Sequence, residues 1–183
     1  CEIPTEVEAA SEFRYRNPLV NDKTLCIFIS QSGETADTIA ALKLAKQKGA
    51  KTIAISNVIG SSITREADYT VYTHAGPDIS VSSKKSFTAQ IMLLDILALY
   101  FAEILGINLD KVEEMKKELL EIPSKVETCL KLADEVKEFA NKVYKEKDIF
   151  FLGRGLYYSS SLEASLKLKE ISYIHSDAYA AGE

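Results

Sequence analysis

Residues 25–38, LCIFISQSGETADT, join an apolar run to a Ser/Gly/Thr turn and the turn to an amphipathic helix, a succession that leaves few folds open. Residues 25–29 show no polar alternation, the mark of a parallel strand covered on both faces. From Thr35 onward, Ile39, Leu42, Leu44 and Ala45 recur at helical spacing, so the turn opens a helix. Backbone N–H groups without intrahelical partners, and about half a unit of positive dipole charge, make such an end attractive to an anion. Ser30, Ser32 and Thr35 add hydroxyls there, and Gly33 lets the backbone approach closely. No lysine follows the glycine, which argues against a nucleotide P-loop, and no G-x-G-x-x-G points to a dinucleotide. A single monophosphate ester fits this chemistry best. The alternative is an ordinary strand-to-helix loop with Ser32 as its N-cap.

The rest of the chain repeats the same alternation. Apolar runs at 24–30, 52–56, 69–73 and 148–152 read as strands bounded by Gly, Ser, Asn or Asp. Helical patterns at 36–47 and 62–67 separate the first three, which predicts a doubly wound parallel sheet with ligands at the carboxyl ends of its strands. Residues 84–105 form a long helix apolar nearly all round, which requires burial between layers or subunits. Lys84, Lys85, Asp95 and Glu103 interrupt it and argue against a membrane span. Residues 109–145 are rich in Lys and Glu with apolar residues at helical spacing, a solvated connector that Pro123 is expected to break. Asp148 then restarts the pattern as strand, glycine turn and serine-rich helix.

A formal net charge of -5 supplies no basic field for nucleic acid, so an anionic ligand must be met by local donors. Small molecules and other subunits are the expected partners. The three cysteines, Cys1, Cys26 and Cys129, are odd in number and widely spaced, which predicts neither a disulfide framework nor a zinc site. A reducing cytoplasm is the expected setting, with no membrane partner and no metal or other cofactor.

Glu163, Lys167 and Glu170 fall at i, i+4 and i+7 on one helix face. That spacing serves equally an ion-pair ladder and an acid–base array. His74 and His175 have no metal-ligating companions at useful spacing, and His175 reads as a structural or surface imidazole.

Several of these runs together carry a resemblance. S-Q-S-G-E-T-A-D-T, A-I-S-N-V-x-G-S-S-x-x-R-E-A-D, S-S-K-K-S-F-T, L-G-R-G and A-S-L-K-L-K-E-I-S-Y-I-H-S-D-A-Y-A-A-G-E resemble the glutamine-fructose-6-phosphate aminotransferase (isomerising) family over nearly the whole chain. The similarity is to the isomerase half, built from two sugar isomerase (SIS) domains of three-layer α/β/α type. It implies a first SIS domain over 1–108 that lacks its opening strand, a helical connector over 109–139 and the beginning of a second SIS domain over 140–183. It also implies that Ser30, Gln31, Ser32, Gly33 and Thr35 bind the phosphate of a phosphorylated hexose, with Val81 and Ser83 on the sugar. Glu170 would be the isomerisation base and Lys167 its assistant. The ring-opening histidine and Schiff-base lysine would come from segments beyond Glu183, so the chain alone is expected to be inactive. Cys1 matches no nucleophile of a glutaminase half. Lys84 and Ser86 stand where the family carries a threonine and a small residue around Lys85. Fructose 6-phosphate, glucosamine 6-phosphate, a glutaminase domain and a second copy of the chain are the implied partners. The alternatives are a non-catalytic phosphosugar sensor, which has no chemical need of Lys167 and Glu170, and another SIS isomerase or deglycase.

Overall fold

The computed structural model describes residues 2–77 and 84–182, which divide into two compact units parting after Val112. In the first unit, strands β1 (Leu25–Ser30), β2 (Lys51–Ser56) and β3 (Tyr69–Tyr72) form a parallel sheet in the order β1-β2-β3. Parallel strands need crossovers, and the helices α2 (Ala36–Gln47) and α3 (Ser62–Glu66) provide them. A four-residue α1 (Ala10–Phe13) precedes the sheet. Gly49, at φ +92, ends α2: the Ala50 N–H reaches back to the Ala45 carbonyl at 3.0 Å, closing the last turn with a left-handed residue that glycine adopts without strain.

Phe28 and Ala54 on one face of the sheet meet Ala41, Leu42 and Ala45 of α2, Ile63 of α3 and Phe13 of α1. Phe13 stands edge-on to Phe28, with ring centroids 6.2 Å apart. Burying a side chain such as Leu42 stabilises by roughly 1.5–3 kcal/mol, so this small cluster holds both crossovers to the sheet. The covering of both faces expected for β1 belongs instead to β2, which is buried from Thr52 to Ser56. Among the described strands β1 lies at the sheet edge, and its Leu25, Ile27 and Ile29 stay at least a third exposed. At the opposite end of β2, the Asp68 carboxylate accepts the backbone N–H and hydroxyl of Thr52 at 2.9 and 3.0 Å, bonds that hold its carboxyl below the usual range.

Helix α4 (Lys84–Leu105) follows the predicted span, but its burial does not. Leu99 and Ala102 are covered, whereas Ile91, Ile96, Tyr100 and Ile104 are exposed. Residues 85–105 are also long and apolar enough to cross a membrane, a property that core helices of soluble proteins share. Helix α5 (Leu109–Leu130) runs through Pro123, where a break was expected. Proline removes one N–H donor from the helix, yet helical structure continues on both sides of it. The chain turns at Lys131 and Leu132 instead, and α6 (Ala133–Val143) follows, with no buried residue.

The second unit holds β4 (Asp148–Gly153), α7 (Leu156–Ser172) and β5 (His175–Ala180), a parallel pair joined by its crossover helix. β5 was not foreseen because HSDAYA lacks an apolar run; only Ser176 and Ala178 turn inward. Small residues bring helix and strands together: the Ser176 hydroxyl donates to Ser165 Oγ at 3.0 Å, both side chains being buried. Gly153 has no room for a Cβ, which would stand 2.3 Å from the Tyr157 carbonyl oxygen in the first turn of α7.

Candidate functional site

The carboxyl end of β1 delivers Ser30, which is buried, and the chain then turns through Gln31, Ser32, Gly33 and Glu34 to Thr35. Ser30 Oγ accepts the Gly33 N–H at 3.1 Å and shares a hydroxyl–hydroxyl bond of 3.0 Å with Thr35 Oγ1. Ser32 Oγ accepts the Glu34 N–H at 3.2 Å. The N-cap of α2 is therefore Thr35 and not Ser32, and no side chain caps the helix, because the Thr35 hydroxyl is turned to Ser30. The predicted hydroxyls of Ser30 and Thr35 are brought together, and Ser32 stands exposed beside them.

The connection from β2 to α3 backs this turn. Asn57 N–H donates to the Gln31 carbonyl at 3.2 Å, and Ile63 N–H donates to the Gly33 carbonyl at 3.0 Å. Because a trans peptide points its N–H opposite its C=O, the Ser32 N–H is turned away from that backing, toward the open side. Gly33 adopts φ +68, and a Cβ on it would stand 2.0 Å from Ser61 Oγ, so glycine is required both by the backbone and by the space. Gln31 Oε1 is buried and has no hydrogen-bond partner among the described residues. Buried acceptors are normally satisfied, so this oxygen suits a ligand donor such as a sugar hydroxyl.

Glu34 carries the one acidic side chain of the turn, and its carboxylate is engaged elsewhere. Glu34 Oε1 accepts the Ser62 N–H at 2.7 Å, at the start of α3. Hydrogen bonding to the Ser62 side chain and N–H, with Arg65 nearby, holds the Glu34 carboxyl below the usual glutamate range. The negative charge is thus matched at the amino end of α3 and does not point at an anion in the turn.

Val81 and Ser83, expected to touch the sugar, lie outside the described residues. Ser86, after Lys85 at the start of α4, is buried.

In the second unit, Glu163, Lys167 and Glu170 share a face of α7, as the spacing required. Lys167 Nζ lies 2.8 Å from Glu170 Oε2 and 3.3 Å from Glu163 Oε1. The bond to Glu170, reinforced by Glu163, raises the lysine above its usual basicity despite partial burial, so Lys167 is a cation that orients two carboxylates. Glu170 keeps an exposed edge, where a carboxylate oxygen can take or return a proton. His175 Nδ1 sits 2.8 Å from Asp148 Oδ1 where β4 and β5 begin, exposed and away from the carboxyl ends of those strands. Of the described cysteines, Cys26 is half-buried, its thiol pushed up by burial, and Cys129 is exposed; both are free. No cluster of three metal-ligating side chains occurs among the described residues.

Sequence reasoning missed the backing residues Ser56, Asn57, Ser61 and Ser62. The readable signal was a second polar turn, S-N-V-I-G-S-S, after the second apolar run, in a fold that sets the ends of adjacent parallel strands side by side.

Comparison with known proteins adds an independent line. The glutamine–fructose-6-phosphate aminotransferase (isomerizing) of Clostridium tetani is 59% identical over 182 residues, and that of Clostridium perfringens 56%. Each match takes in 99% of this chain and 30% of the relative, so the chain spans under a third of the length of these relatives. The C-terminal domain of glucosamine-fructose-6-phosphate aminotransferase from Francisella tularensis superposes with a TM-score of 0.95 at 42% identity, over 100% of this chain and 52% of that one. A family model described as SIS domain matches residues 2–100 and 142–183. Those stretches hold the 30–35 turn and the whole β4–α7–β5 unit, and on that match the chain belongs to the SIS domain family.

Proposed function

We propose that this chain is part of the isomerase half of a glutamine-fructose-6-phosphate aminotransferase, receiving a phosphorylated hexose at 30–35 and carrying the isomerisation base on α7. One observation supports phosphate recognition above the rest: α2 starts with no side-chain cap, while its turn gathers the hydroxyls of Ser30, Ser32 and Thr35 around a glycine. Hydrogen bonds to a charged acceptor are worth roughly 1.5–3 kcal/mol each, so three or four donors hold a phosphate without a lysine. Gln31 Oε1 supplies an acceptor for a sugar hydroxyl.

Glu170 would then move a proton between C1 and C2 of the open-chain sugar, through an enediol-like or enolamine intermediate. Lys167, 2.8 Å from Glu170 Oε2, holds that carboxylate in place. Positioned proton transfer contributes about 10²- to 10⁴-fold in rate. The pair also separates this reading from a pure phosphosugar sensor, which needs the cradle alone. Ammonia would come from a glutaminase domain of the same polypeptide.

A second copy of the chain is the proposed cover for the exposed apolar stripe of α4, since Asp95 within that helix would be costly in a bilayer. The setting we infer is cytoplasmic.

The test uses a polypeptide of the relatives' full length containing this chain. Glu170→Gln should bind fructose 6-phosphate within about twofold of the parent, because the phosphate anchor is on another segment, and lose most solvent-deuterium exchange into the sugar by NMR. Undiminished exchange in the variant removes Glu170 as the base. Tight binding with no exchange in the parent supports the sensor instead.

A further inference from the structure

Four hydrogen bonds meet at Asn57, the first residue beyond β2. Its backbone N–H donates to the Gln31 carbonyl in the phosphate-cradle turn at 3.2 Å. Its side chain holds the segment that leaves β3. Oδ1 accepts from the Ala75 N–H at 2.9 Å and the Thr73 hydroxyl at 3.1 Å, and Nδ2 donates to the Gly76 carbonyl at 2.8 Å. The primary amide thus fills both lone pairs of its oxygen and one of its donors.

What it holds is not a relaxed backbone. His74, within that segment, sits at φ +51, and Gly76 at φ +71. A non-glycine residue keeps a left-handed conformation only where its surroundings impose it, and bonds to Thr73, Ala75 and Gly76 flank His74 on both sides. Register completes the placement. Ser30, Ser56 and Tyr72 are partners across the three parallel strands, so Gln31, Asn57 and Thr73 leave the sheet side by side.

We propose that Asn57 is a positioning residue that ties the phosphate-cradle turn to the 73–76 segment and thereby sets how the carbon chain of a phosphosugar, rather than its phosphate, is received. The inference rests on the phosphosugar reading above. Inorganic phosphate is small enough to be held by 30–35 alone. A hexose ester extends beyond that turn, along the strand ends where 73–76 emerges, and its affinity depends on the two segments keeping one geometry.

Calorimetric titration of the protein and of Asn57→Ala with fructose 6-phosphate and, separately, with inorganic phosphate reads this directly. The variant should lose about tenfold in affinity for the sugar phosphate and change less than about twofold for inorganic phosphate. Equal losses for both ligands, or no loss for either, overturn the proposal. Hydrogen exchange of the ligand-free proteins supplies a second measurement. The Ala75 amide should exchange about tenfold faster in Asn57→Ala while the Gly33 amide, bonded to Ser30 Oγ, stays as protected as before. Equal acceleration at both amides means that Asn57 merely supports the fold, and an unchanged Ala75 means that it does not hold the segment. If the unsubstituted protein does not prefer fructose 6-phosphate to phosphate, the phosphosugar reading fails, and the exchange data still decide whether Asn57 ties the segments.

Discussion

Gly33 packs against Ser61 more closely than any side chain would allow, and the consequence reaches the proposed phosphate site. An added methyl must move Ser61 or the turn, while φ +68 strains any L-residue there. Gly33→Ala should therefore destabilise the protein by about 1–3 kcal/mol in urea unfolding and also weaken phosphate binding. Thr35→Ala removes the hydroxyl partner of Ser30 without touching the backing, and calorimetry should show a loss of about 1–2 kcal/mol, roughly tenfold, in phosphosugar affinity with little change in stability. Glu34 gives a pH signature. Its carboxyl is held below the usual range by hydrogen bonding to the Ser62 side chain and N–H, so its contribution to stability is fully present above the ordinary glutamate value and is lost as pH falls through the lowered folded value. In urea titrations Glu34→Gln should flatten the acid limb below about pH 4 and leave the curve from pH 6 to 8 unchanged in shape. At this scale the sequence revealed the hydroxyls of the 30–35 turn and the i, i+4, i+7 charges, because donors at a helix start and charges on one helix face are local patterns. It concealed the role of Asn57 and the Ser62 partner of Glu34, because those contacts lie 16–28 residues away along the chain.

The elements were legible where apolar periodicity decides them. The bounds of α2 and α4 match the predicted spans, and β1 to β4 differ from theirs by a residue at an end. Elements shaped by partners were less legible. β5 is polar on its outward positions and is a strand because β4 pairs with it, which no local pattern announces. β1 has an apolar composition that fits two covered faces, yet one of its faces is partly open among the described residues. Pro123 shows how a strong local rule yields when the surrounding residues are good helix formers, as in EEMKKELLEIPSKVE. That continuity has a measurable cost. Replacing Pro123 by Ala restores an N–H donor inside α5 and should stabilise the helix by up to about 3 kcal/mol, seen as a higher thermal midpoint by circular dichroism. An unchanged midpoint would mean that α5 unfolds independently of the cooperative transition.

For the molecule as a whole, composition and function pull in opposite directions: a chain of net charge -5 is proposed to take an anionic ligand. Attraction must come from fixed dipoles at short range, since the long-range field is repulsive. Association of fructose 6-phosphate should therefore not slow when ionic strength rises from 10 to 150 mM, as roughly estimated from the Debye length, and stopped-flow measurement showing steep slowing would reveal a basic field that the charge balance does not predict. The doubly anchored backing of the turn has another consequence, for insertion and redesign. The run from Asn57 to Ile63 is fastened at one end to Gln31 and at the other to Gly33, so it is a spacer of fixed length. Extra residues placed within it would spread those two carbonyls apart. The same residues inserted at the exposed turn of Lys131 and Leu132 would be absorbed by solvent, which makes that turn the natural place to splice in a tag or reporter without disturbing the cradle.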